Sequence, residues 1–236
     1  MSRTTPDKFL YVGNELDLFL HARHWKAYWI SHVRSWIRGD VLEVGAGIGA
    51  NTVQLQNPEV RSWCCVEPDP RLVIQLEAAT RDVKPCTIRC GTLEALSGRS
   101  FDCIVYIDVL EHIEDDRSEM ARAAQLLRPG GHIVVLSPAH QFLYSPFDAA
   151  IGHYRRYDKN TLRACTPAEC KVDVLQYVDS CGIMTSLANR ALLRQANPTL
   201  KQILFWDRHV VPVSRIMDPL LGFRLGKSIV GVWTRR

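Results

Sequence analysis

Residues 144–158 read YSPFDAAIGHYRRYD and crowd acid, base, hydroxyl and positive charge into one short segment. His153 is the first candidate for a general base, because an imidazole titrates near neutrality, and His140 just upstream is the second. Tyr144 and Tyr157 are suited to orienting a hydroxyl or lining an aromatic pocket. Arg155 or Arg156 offers a planar fork for a carboxylate or phosphate. The structural use of the same segment is a loop that Asp148 and Tyr157 hold in shape while both arginines face water. The candidate catalytic residues are therefore His153, His140 and Tyr144, and the candidate substrate contacts are Tyr28, Asp148, Arg156 and Tyr157.

A second chemical signal is LEVGAGIGANT, residues 42–52. Glycines at 45, 47 and 49 directly after an apolar run let the backbone turn tightly and approach a ligand with no Cβ in the way. A helix that follows aims its amide-rich end at that ligand. Gly45, Gly47 and Ala50 also satisfy the dinucleotide pattern G-x-G-x-x-G/A, so the glycines alone do not choose a cofactor. Glu43, two residues before the first glycine, is placed to order the loop and to meet a cationic amino-acid group. Glu67, at the end of the next apolar run, is placed to accept hydrogen bonds from a ribose diol. Gly49 completes E-x-G-x-G-x-G; Glu67 serves both cofactor classes, whereas Glu43 and this third glycine point away from a dinucleotide.

These residues need a scaffold, and the pattern around them supplies one. Buried-strand runs at 41–47, 62–69, 87–91, 101–109 and 131–138 alternate with helical stretches after Gly49, over 71–80 and over 115–127. That is a doubly wound α/β domain with a mostly parallel sheet. Two further strands, 170–178 and 227–235, bring the sheet to seven, with an insert of mixed apolar and basic helices over 182–225 before the last one. Upstream, Trp29, Val33, Trp36 and Ile37 recur at helical spacing, which reads as packing in an N-terminal helical cap over residues 1–37, ahead of the domain at 38–236.

The chain resembles the class I S-adenosylmethionine-dependent methyltransferases, a family of Rossmann-like fold, over roughly residues 38–140. Glu43 to Gly49 match its first motif, Glu67 its acidic second-strand residue, GTLEAL (91–96) its adenine-flanking turn and DVLEHIED (108–115) its fourth-strand motif. LLRPGGHIVV (126–135) matches the turn into the fifth strand. The resemblance implies cofactor contacts from Glu43, Gly45, Ala46, Gly47, Gly49, Asn51, Glu67 and Pro68, with Thr92 and Leu93 beside the base. Asp108, Val109 and His112 complete the set, although a local hydrogen bond is an equal use for His112. It also implies S-adenosylmethionine as cofactor and S-adenosylhomocysteine as product. Asp108 alone is not a magnesium site, so no metal is expected.

Composition narrows the partners. A net charge of +4 without clustered Lys/Arg tracts disfavours nucleic acid, and the absence of a long uninterrupted apolar run disfavours membrane insertion. With no signal-peptide pattern at the N-terminus, a cytoplasmic protein is expected. Eight cysteines without a C-x-x-C pair read as reduced, mostly buried thiols. The expected function is methyl transfer to a small-molecule acceptor in biosynthesis, oxygen first and carbon or nitrogen next, with a loop histidine as base. The alternatives are sulfonium chemistry without methylation, such as ring closure to a cyclopropane, and a catalytically silent cofactor-binding module. The insert would serve as a lid over the site, or its apolar residues as a partner or homodimer contact.

Overall fold

Alternation of apolar residues along each strand sends side chains to both faces of one sheet, and both faces are covered. The computed structural model describes Tyr11 and residues 15–83, 85–188 and 199–236, so parts of the cap and residues 189–198 of the insert lie outside the described residues. Strands β1 (Gly39–Val44), β2 (Val60–Glu67), β3 (Cys86–Cys90), β4 (Phe101–Ile107), β5 (Leu127–Pro138), β6 (Cys170–Val178) and β7 (Ser228–Arg235) form a single sheet in the order β3-β2-β1-β4-β5-β7-β6. β1 to β5 run parallel, and β7 is antiparallel to both β5 and β6. The doubly wound seven-stranded α/β expectation holds, with β5 starting at Leu127 rather than 131 because the Pro-Gly-Gly turn is taken into the strand.

The helices are α1 (Glu15–Phe19), α2 (Arg23–Val33), α3 (Ala50–Leu55), α4 (Pro70–Ala79) and α5 (Asp116–Gln125). They continue as α6 (Pro146–Ala150), α7 (Lys159–Arg163), α8 (Ser180–Ala188), α9 (Leu200–Phe205) and α10 (Val211–Leu220). Met120, Ala123 and Ala124 of α5 pack with Leu42, Ile104 and Val135 on one face of the sheet. Trp25, Trp29 and Val33 of α2 pack with Val41, Val105 and Val134 on the other, in the same core as Ile203, Trp206 and Val211 of the insert. The cap, the insert and the sheet thus share one apolar interior. Tandem cysteines 64 and 65 divide between the two faces, and all eight thiols are free, as expected. Among the described residues, no helix is long and apolar enough to cross a membrane.

Candidate functional site

β1 and β4 are neighbours whose following connections leave to opposite sides, and the crevice beyond their C-terminal ends is where such sheets bind ligands. On one side Gly45 turns the chain with φ +65°, and a Cβ there would stand 2.7 Å from the Val109 side chain of the β4 turn. Gly49 (φ +80°) packs instead on Leu76 and Ala79 of α4, so its role is to let that helix close on the loop. Glu67 ends β2 with its Oε2 accepting the Gly47 N–H (2.8 Å) and its Oε1 accepting the Asp69 N–H (3.0 Å). Burial raises its pKa against those bonds.

Glu43 points away from the crevice. Its Oε2 accepts from the Thr52 hydroxyl (2.5 Å) and the Trp63 indole (3.0 Å), which ties β1 to α3 and β2 from behind. Burial pushes its carboxyl up to about 7. These bonds reach the helix after the glycine turn and the neighbouring strand rather than the turn itself.

On the other side of the crevice the YSPFDAAIGHYRRYD segment closes on itself. Ser145 and Asp148 form a capping box around α6, with Pro146 in its first turn. Gly152 at φ +85° then reverses the chain so that His153 and Arg156 return onto Asp148. Asp148 bonds His153 Nδ1 through Oδ1 (2.9 Å) and accepts the Arg156 fork at 2.8 and 2.9 Å. Burial opposes its ionisation, yet these hydrogen bonds and the guanidinium hold its carboxyl well below the usual range. Nε2 of His153 faces Glu111 Oε1 at 3.8 Å, and its ring stands edge-on to His112 at 4.5 Å between centroids. Burial and the neighbouring His153 push His112 down to about 3.

These two halves line one cavity of about 880 Å³. From the sequence candidates it collects Gly45, Ala46, Gly47, Asn51, Glu67, Pro68, Asp108, Val109, His112, Asp148, His153 and Arg156. Glu43, Gly49, Thr92 and Leu93 do not line it; Leu93 turns into the core with Leu96, since a 3₁₀ turn eclipses residues three apart. His140 also stands off the cavity, stacked on Tyr177, and Tyr144 donates its hydroxyl hydrogen to the His153 carbonyl (2.6 Å). The Tyr157 hydroxyl donates to Asp116 (2.7 Å), and that of Tyr28 to Asp218 (2.7 Å). Each of these three tyrosines is placed to brace the fold.

Sequence reading missed the cavity's other walls: Tyr11 and Leu16 from the N-terminal region, Trp25, Lys26 and Trp29 of α2, Trp206 of the insert, and Lys227. One signal was available, because a lysine beside Trp25 on the apolar face that carries Trp29 and Val33 has no reason to be there for packing alone. Asp108, in the left-handed region at φ +54°, turns its carboxylate into the cavity. Asp108 stays open to solvent within the cavity, and the protein packed around it raises its carboxyl against the pull of Lys227, Lys26 and Arg156. Burial likewise lowers both lysines. The cavity therefore has a turn of backbone and carboxylate at one end and a histidine–carboxylate cluster at the other.

Residues 42–135 match the family described as methyltransferase domain. A ubiquinone biosynthesis O-methyltransferase of Parvibaculum lavamentivorans is 32% identical over 107 residues, covering 36% of this chain and 42% of that protein. The chain spans about half the length of the curated relatives it matches, 42% to 52%. Among solved structures, a chain from the complex between the Haloferax volcanii Trm112 methyltransferase activator and the putative methyltransferase superposes with a TM-score of 0.62 at 15% identity, covering 100% of this chain and 99% of that one. The N-methyltransferase NodS of Bradyrhizobium japonicum, in complex with S-adenosylhomocysteine, gives 0.56 at 17% identity over 90% and 85% of the two chains. At these identities the structural likeness speaks to the fold.

Proposed function

We propose that this class I S-adenosylmethionine-dependent methyltransferase domain, built around residues 42–135, methylates a small-molecule acceptor, at oxygen in first place, with His153 taking the acceptor's proton. The observation that carries the reading is the single cavity, which joins the Gly45–Gly47 turn and Glu67 to the His153–Asp148 pair. Its residues fit the cofactor. Glu67 spends one lone pair per oxygen on backbone N–H groups and keeps the others for a diol. The volume lies in the range of pockets that enclose a ligand of this size together with a small second molecule.

Bound there, S-adenosylmethionine supplies a methyl group on a strongly electrophilic sulfonium. The protein's own work is to bind, orient and exclude water. Gly45, Gly47 and Glu67 hold the cofactor's end of the cavity, and Trp25, Trp29 and Trp206 wall it from solvent. Asp148 bonds Nδ1 of His153, so the neutral ring carries its hydrogen there and keeps Nε2 as the acceptor on the cavity side. Arg156 is locked by the same carboxylate while its Nη1, buried and without a partner, remains to meet an anionic group on the acceptor.

A screen of small phenols and carboxylates with the purified protein, read by product mass, tests the assignment. Methylation exchanges one hydrogen for one methyl on the acceptor, whereas ring closure of a preformed adduct adds no methyl. In His153→Ala we expect turnover to fall by on the order of 10²–10⁴-fold, with cofactor affinity within about threefold of the parent. Unchanged turnover would remove His153 from proton uptake.

A further inference from the structure

We propose that Glu111, His112 and His153 form a binding site for a divalent first-row transition metal ion. One ligand atom from each lies within 4.8 Å of the others, and the three line the acceptor end of the cavity. The inference goes beyond the methyltransferase reading and stands on the donor set alone. Sequence reading expected no metal because it weighed only Asp108; the third donor joins the adjacent Glu111–His112 pair through the fold.

The carboxylate makes the case. Glu111 is fully buried, its Oε2 accepts from the Ser137 hydroxyl (2.9 Å), and its Oε1 has no hydrogen-bond partner. Oε1 faces His153 Nε2 at 3.8 Å, too far for a hydrogen bond. With Nδ1 committed to Asp148, Nε2 and the unpartnered Oε1 face one another across a gap that no other atom among the described residues bridges. A cation held by both supplies what each lacks. Metal–ligand bonds of about 2.1 Å set neighbouring donors about 3.0–3.4 Å apart, which these side chains reach by small rotations.

Two of the donors also have the outer partner that a metal ligand needs: Ser137 for Glu111 and Asp148 for His153. Two imidazoles and one carboxylate suit zinc, cobalt, manganese or iron rather than magnesium or calcium. Open positions on the cavity side would take an acceptor oxygen, whose proton leaves to solvent as the ion lowers its pKa. A loaded site would thus replace proton uptake by His153 rather than add to it.

Chelator-treated full-length protein titrated with Co²⁺ or Zn²⁺, with neither cofactor nor acceptor present, tests the site by calorimetry and the cobalt visible spectrum. One ion per chain, without thiolate charge-transfer bands, is expected. Affinity should fall at least about tenfold in His112→Ala and in the near-isosteric Glu111→Gln, both checked for parental circular dichroism, and less in Ser137→Ala. Absence of stoichiometric binding, binding unchanged in Glu111→Gln, or thiolate bands that assign the ion to cysteines would each overturn the site. None of these readouts depends on methyl transfer, so the two proposals fail separately.

Discussion

Single residues in this protein do different work from what their types suggest, and burial decides which. Glu43 belongs to the glycine-loop motif, yet it is 2% exposed and bonded to Thr52 and Trp63 rather than turned into the cavity. Its carboxyl rises from 4.5 to about 7 through burial. The fold therefore favours the protonated form. Glu43's contribution to stability is complete below about 4.5, declines as pH rises and is lost on passing about 7. Glutamine keeps the acceptor oxygen and never ionises. Urea unfolding of the ligand-free protein is expected to show Glu43→Gln close to the parent at pH 5 and more stable at pH 8, by on the order of 1–3 kcal/mol. Parallel pH profiles would mean that the buried carboxylate carries no such penalty. The motif revealed that Glu43 matters; its direction was not legible, because a strand residue's surroundings come from elements far away in sequence.

At the level of elements, the crevice exists because two turns meet. The turn after β1 and the turn after β4 touch where Gly45 leaves room for Val109. Gly45→Ala places a Cβ 2.7 Å from a Val109 methyl at φ +65°, combining a left-handed backbone penalty with overpacking. We expect a loss of roughly 2–4 kcal/mol in denaturant unfolding, and a weaker cofactor complex by titration calorimetry. A parent-like melting curve with parent-like affinity would show that the two turns separate at little cost. These turns were legible in the sequence, since glycine runs after apolar strands have few other uses. The α6 segment was legible only as a cluster: its capping box and the reversal at Gly152 decide that His153 and Arg156 converge on Asp148 while Tyr144 braces the loop.

At the scale of the whole molecule, a buried carboxylate joins the pieces that cover the cavity. Asp218 of α10 accepts from the Tyr28 hydroxyl of α2 and from the backbone N–H groups of Asp179 and Ser180 where α8 begins. Asp218→Ala leaves three buried donors unsatisfied, and we expect it to destabilise the protein by about 3–5 kcal/mol, with faster proteolysis in the α2–insert region. Loss below about 1 kcal/mol would mean that the cap and insert are held by apolar packing alone. This junction had no signature in the chain. Periodicity and turn chemistry are local, so the strand–helix alternation, the glycine turn, Glu67 and the two carboxylate–histidine stretches could be read along the chain. Which polar groups share the cavity depends on contacts between distant segments. Glu111, His112 and His153 meet, Lys26 and Lys227 enter, and His140, Tyr28 and Tyr157 turn away, because packing one interior from the cap, sheet and insert sets the direction of every side chain at their seams.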